Sequence, residues 1–203
     1  MGLNIIYRME KANYISEDER LYYVNIYRVQ HFLHRLAKDI VVISFMNGAA
    51  MGSGVLYGLN TTFSIATEKT VWSLPEVGIG GLPDVGVVYH MNKLPHKMGN
   101  MLALTGYRLS GREVVAAGIA THFCSSERLE NLKEELASLG DSPDVKNDVK
   151  EILDKYQNLS KSKGQDQEKL EKVSKLQEVT ERVYKTNNIF EVRYDRFSCS
   201  DYF

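Results

Sequence analysis

Apolar positions in this chain shift between helical spacing and short continuous runs. Leu21, Val24, Phe32 and Leu36 recur near helical spacing, and Ser16 with Glu19 makes a Ser-x-x-Glu capping box. This predicts a helix from Ser16 to Lys38. The run Ile40-Val41-Val42-Ile43 is continuous and β-branched, which predicts a strand buried on both faces. A small, glycine-rich stretch from Asn47 to Gly54 follows, then a short helix through Leu59. Thr61 to Ala66 and Val71 to Ser73 read as two further short strands. Leu74 to Gly86 holds four glycines, two prolines and two carboxylates in thirteen residues, so no ordinary helix or strand is predicted there.

Helices resume at Asp84 or Val85 and again from His96 to Leu104, and Ser110 is a plausible N-cap for a helix over Gly111 to Gly118. Beyond Ser125 the chain is helical and charged. Leu129, Leu132, Leu136 and Leu139 make one apolar stripe. Pro143, with Ser142 before it, suits the first turn of the next helix. Lys161 to Gln167 is a polar break, and Leu170, Val173, Leu176, Val179 and Val183 carry a last helix. There is no internal repeat. Strands alternating with helices, then helices alone, predict an α/β fold with a helical C-terminal part.

Composition narrows the function classes. Lys+Arg is 25 and Asp+Glu is 26, a net charge of -1, which argues against a general nucleic-acid binder. Two cysteines, Cys124 and Cys199, make neither a disulfide scaffold nor a four-thiolate zinc site, and fit a reducing compartment. No apolar run reaches the roughly 18 residues of a membrane span. The N-terminus shows neither a signal peptide nor an Arg/Ser-rich presequence. Gly2 hints at myristoylation, but Ile6 stands where that motif has Ser or Thr.

Two constellations can carry chemistry. Gly52-Ser53-Gly54 ends a strand-to-loop segment, where closely spaced backbone amides can stabilise an oxyanion; the other reading is a tight turn alone. It is neither a Walker loop nor a dinucleotide fingerprint, and Ala50 breaks a Gly-x-Ser-x-Gly elbow. Glu76 and Asp84 lie in glycine/proline loops flanked by apolar residues. Desolvation there raises a carboxyl pKa and makes a base or nucleophile; the other reading is that both cap neighbouring turns. His31 and His34 sit three apart on a helix, as metal ligands do, but no second ligand pair follows. His90, His96 and His122 are scattered along the chain.

These motifs come in a familiar order. The segments 47–54, Ala66-Thr67-Glu68-Lys69, 74–80, Leu82-Pro83-Asp84-Val85-Gly86, 102–106 and 117–122 closely resemble 3-hydroxyisobutyryl-CoA hydrolases, of the crotonase (enoyl-CoA hydratase/isomerase) superfamily. The resemblance runs from about Ser16 to about Leu139. It implies a partial crotonase-like core of stacked ββα turns over 1–124, followed by a charged helical region over 125–203. It implies hydrolysis of 3-hydroxyisobutyryl-CoA to 3-hydroxyisobutyrate and CoA in valine breakdown, in mitochondria. It implies no metal and no other cofactor, CoA being part of the substrate. Glu76 would be the catalytic carboxylate, attacking the thioester or activating water. Asp84 would orient the substrate hydroxyl or assist proton transfer. Gly52, Ser53 and Gly54 would line the substrate, with the Ser53 amide as an oxyanion donor.

Hydratases of the superfamily carry a second glutamate where this chain has Leu56, so the resemblance argues against hydration of a double bond. Ser44 and Phe45 read as an insertion between the buried strand and its loop. The family's other oxyanion amide comes from an upstream Ala-Gly-Gly-Asp-type segment, which the resemblance places before the start of this sequence. A spiral without its first turns exposes apolar strand edges, so self-association is expected. The alternative function is a non-catalytic crotonase-fold component, such as a mitochondrial ribosomal subunit, or an inactive fragment.

Overall fold

The computed structural model describes residues 17–160 and 165–185. The expected Ser16 cap, most of the polar break, the N-terminal residues and Cys199 lie outside the described residues. Helix α1 spans Glu17–Asp39, matching the helical spacing. Six short strands follow: β1 (Ile43–Met46), β2 (Ala49–Met51), β3 (Phe63–Ala66), β4 (Val71–Ser73), β5 (Leu109–Ser110) and β6 (His122–Phe123). They form two three-stranded sheets, ordered β1-β3-β6 and β2-β4-β5. Ile43 to Met46 pair in parallel with Phe63 to Ala66, and Ala49 to Met51 with Val71 to Ser73. β5 joins β4 antiparallel.

Each turn of chain therefore gives one strand to each sheet before a helix closes it. β1 and β2 lead into α2 (Leu56–Leu59). β3 and β4 lead through a 3-10 turn (Pro75–Ile79) into α3 (Val87–Met91) and α4 (Met98–Thr105). This is the stacked ββα arrangement. α3 and α4 fold tightly on each other because Gly99 has no side chain: a Cβ there would stand 2.0 Å from the Met91 carbonyl oxygen.

Two clusters form the core. Trp72, Leu74, Leu56, Met98, Leu102 and Leu109 build the larger one. The second joins Phe63 and Ile65 of β3 to Leu129 and Leu132 of α6 (Leu129–Ala137) and to Val149 and Leu153 of α7 (Val145–Leu159). The leucine stripe thus faces the sheet as its spacing predicts. The last helix, α8 (Gln165–Lys185), returns to the larger cluster through Val173 and Leu176.

Four local expectations are corrected. The strand expected at Ile40 to Ile43 begins at Ile43, and Ile40 is 55% exposed, its N–H still bonded to Leu36 at the end of α1. Ser44 and Phe45 form the middle of β1. β1 is an edge strand with partly buried residues, not one covered on both faces. Ser110 does not cap the helix after it. Instead α5 (Arg112–Ala116) begins after Gly111, and the Glu113 carboxylate accepts the Ser110 N–H and hydroxyl at 2.7 and 2.9 Å. α7 starts at Val145 with Asp144 as N-cap, accepting the Asn147 N–H, so Pro143 precedes the helix. Among the described residues no helix is long and apolar enough to cross a membrane.

Candidate active site

The chain between β4 and α3 carries both carboxylates. Its entry is pinned by Leu74, fully buried, and by the Ser73 hydroxyl, which donates to the Gly106 carbonyl at 2.8 Å. Glu76 follows Pro75 in the 3-10 turn, and its carbonyl accepts the Gly81 N–H at 2.9 Å. That bond folds the loop back on itself and fixes the Glu76 backbone. No side chain caps this turn or α3, so neither Glu76 nor Asp84 is consumed as a helix cap.

The Glu76 side chain reaches back to the end of β2. Its Oε1 lies 3.0 Å from where a Cβ on Gly52 would stand, and its Oε2 is buried with no hydrogen-bond partner. Burial pushes its carboxyl above the usual range, and the nearby Asp84 charge adds to the rise. An unpaired buried carboxylate oxygen is costly and marks a group kept for chemistry. Asp84 is exposed at its surface, yet its neighbours desolvate it enough to raise its carboxyl as well. Gly52, Ser53 and Gly54 form a 3-10 turn directly after β2. The first amides of such a turn have no acceptor inside it.

Beside Asp84 stands Val85, buried, with φ 53. A β-branched residue in that left-handed region is strained. Its N–H donates to the Tyr27 hydroxyl of α1 at 3.3 Å. A cavity of about 400 Å³ opens here, between α1, the start of α2 and the Val85–His90 segment. Tyr27, Gln30, Leu56, Asn60, Val85 and His90 line it. Leu56 is apolar and buried at the place where a hydratase glutamate would stand.

Of the histidines scattered along the chain, His90 comes close to His34 in space, whereas His96 bonds Glu181 and His122 bonds Asp154 elsewhere. His31, His34 and His90 all line this cavity, and the His34 and His90 ring centres lie 6.0 Å apart. Burial, with the charges of Lys93 and His34, lowers the His90 pKa to about 4. Among the described residues no group of three or more His, Cys, Asp or Glu side chains can hold a metal ion. Sequence reasoning passed over Gln30, Asn60 and His90.

The model of the enoyl-CoA hydratase/isomerase family matches residues 2–195. The chain belongs to this family. Among solved family structures, a carnitinyl-CoA dehydratase from Mycobacterium thermoresistibile superposes with TM-score 0.69 at 26% identity, covering 88% of this chain and 47% of that one. Two curated relatives are named 3-hydroxyisobutyryl-CoA hydrolase, mitochondrial. The Danio rerio protein is 44% identical over 70% of this chain and 35% of its own length. The Gallus gallus protein is 38% identical over 85% of this chain and 43% of its own length. The chain thus spans less than half the length of these relatives. Glu76, Asp84 and the Gly52–Gly54 turn all lie within this family member's ββα core.

Proposed function

We propose that this chain carries the acyl-CoA thioester hydrolase chemistry of the curated relatives, with 3-hydroxyisobutyryl-CoA as substrate. The observation that carries the reading is the Glu76 carboxylate, desolvated, half-unpartnered and packed against the Gly52 turn. Glu76 attacks the thioester carbon, or takes the proton of the water that attacks it. The carbonyl oxygen becomes an oxyanion, which the Ser53 amide stabilises. The C–S bond then breaks, and CoA leaves as thiolate and takes up a proton; where Glu76 is the nucleophile, water then hydrolyses the acyl–Glu76 anhydride, and by either route 3-hydroxyisobutyrate is released. Asp84 orients the acyl hydroxyl or moves that proton. CoA enters as part of the substrate, with no further cofactor. The relatives' names support a mitochondrial location.

The test is thiol release from 3-hydroxyisobutyryl-CoA by purified protein beside Glu76→Gln. Turnover that disappears in the variant is the expected result. No thiol release from folded protein overturns the reading.

Self-association belongs to the same proposal. β1 and β2 each end their sheet, and an uncovered strand edge is a template for pairing. Sedimentation is expected to show species larger than the monomer; a lone monomer at all concentrations counts against it.

A further inference from the structure

A chain of buried hydrogen bonds runs along one wall of the cavity. Gln30 and Asn60 are each 4% exposed. The Asn60 amide nitrogen donates to the Gln30 side-chain oxygen at 3.1 Å and to the Gln30 carbonyl at 3.4 Å. Both partners are acceptors, so the Asn60 oxygen is forced to face His90. That oxygen lies 2.8 Å from His90 Nε2. Only an Nε2–H can satisfy it, which fixes the His90 tautomer and leaves Nδ1 as a bare lone pair. Nδ1 is not among the buried unpartnered atoms of the described residues, and His90 lines the cavity. Burial keeps the ring neutral, so Nδ1 stays an acceptor at neutral pH. The Tyr89 ring packs edge-on against it, centres 5.2 Å apart, and holds its plane.

Two other lining residues adjoin the candidate catalytic segments in sequence. Leu56 follows directly on the Gly52–Val55 turn, and Val85 is the residue after Asp84. No carboxylate lines the cavity. A neutral acceptor in a partly apolar pocket selects a donor, and a hydroxyl on a short acyl group is such a donor.

We propose that His90 is the specificity-determining residue, accepting a hydrogen bond from the hydroxyl of the acyl group, with Asn60 and Gln30 as positioning residues that set its tautomer. This rests on the thioester reading above and removes its ambiguity: the hydroxyl goes to His90, and Asp84 is left to move the proton.

The experiment is calorimetric binding of 3-hydroxyisobutyryl-CoA and isobutyryl-CoA to the full chain carrying Glu76→Gln, which stops turnover. The pair differs only in the hydroxyl. The hydroxylated thioester is expected to bind about tenfold tighter, the worth of one hydrogen bond to a preset buried acceptor. Adding His90→Phe brings the ratio to about one. His90→Gln, which offers Asn60 a donor and the ligand an acceptor oxygen, keeps a ratio above one and covers the case in which the Phe variant does not fold. An equal ratio in the parent protein, or a tenfold ratio that survives His90→Phe, overturns the proposal. Failure of the hydrolase reading shows separately, as no thiol release by wild-type protein while the binding ratio remains measurable.

Discussion

Gly52 is the floor on which the Glu76 carboxylate rests: any Cβ at 52 would stand 3.0 Å from Glu76 Oε1. Gly52 also has φ +55, so a side chain there meets strain in the backbone as well as contact with the carboxylate. Gly52→Ala is expected to cost about 1–2 kcal/mol of stability from the left-handed backbone. By displacing Glu76, it should lower thioester turnover about tenfold to a hundredfold. Chemical denaturation and kcat measured on one preparation check both effects. Unchanged turnover would mean that Glu76 is not held by this contact.

Glu76 is stored strain of a different kind. Its buried Oε2 lacks a partner and its charge is disfavoured by burial first and by Asp84 second. Glu76→Gln is therefore expected to abolish turnover while raising Tm by about 2–4 °C, the shift that ~1 kcal/mol produces in a chain of this size. The pH profile follows from the same causes. The reaction needs the ionised carboxylate, so the acid limb of kcat/KM should lie above the ordinary glutamate value. Asp84→Asn removes the smaller cause and should move that limb towards lower pH without returning it to the ordinary value. An acid limb at or below 4.5 would contradict the burial argument.

Val85 is held in an unfavourable conformation by a bond from across the cavity. The Tyr27 hydroxyl accepts its N–H at 3.3 Å, and Val85 sits at φ 53 directly after Asp84. Tyr27→Phe keeps the ring and removes the acceptor. The expected loss is about 1 kcal/mol of stability, together with a several-fold fall in kcat as Asp84 loses its fixed position. Urea denaturation and initial-rate kinetics read the two effects. A stability loss with kcat intact would assign Tyr27 a structural role alone.

Much of this architecture is legible in residue order, and the failures have physical causes. Helix α1 follows from helical spacing even though Leu21 and Phe32 of its stripe are exposed, β3 and β4 follow as short runs, and the α6 leucine stripe follows because it buries one face. Glu76 and Asp84 stand out because a glycine/proline loop cannot hide a carboxylate in regular hydrogen bonding. The strand at Ile40 was misplaced because an apolar run shows hydrophobicity, not pairing. Pairing is decided by β3, and Thr62 takes hold of Val42 at the point where the strand begins. The histidine cavity was invisible because His34 and His90 lie on helices that only the ββα stacking brings together. The tautomer of His90 depends on Asn60, thirty residues away in sequence.

Acid stability offers a check on the neutral state of His90. His90 has a folded pKa of about 4, lowered from 6.5 by burial first and then by Lys93 and His34. Between those two values the unfolded chain binds a proton that the folded one refuses. The stabilising contribution of His90 is thus complete above pH 6.5 and is withdrawn as pH falls towards about 4. His122 acts in the same direction, since burial lowers it too, with Asp154 opposing. Glu76 and Asp84 work oppositely: their raised pKa values favour the protonated folded form, so their penalty is relieved as acid is added. Unfolding free energy measured from pH 7 to pH 5 should fall in wild type and fall less in His90→Phe. In the Glu76→Gln background the fall should be steeper, because the relief from Glu76 is gone. A wild-type slope unchanged by His90→Phe would mean that His90 is not held neutral.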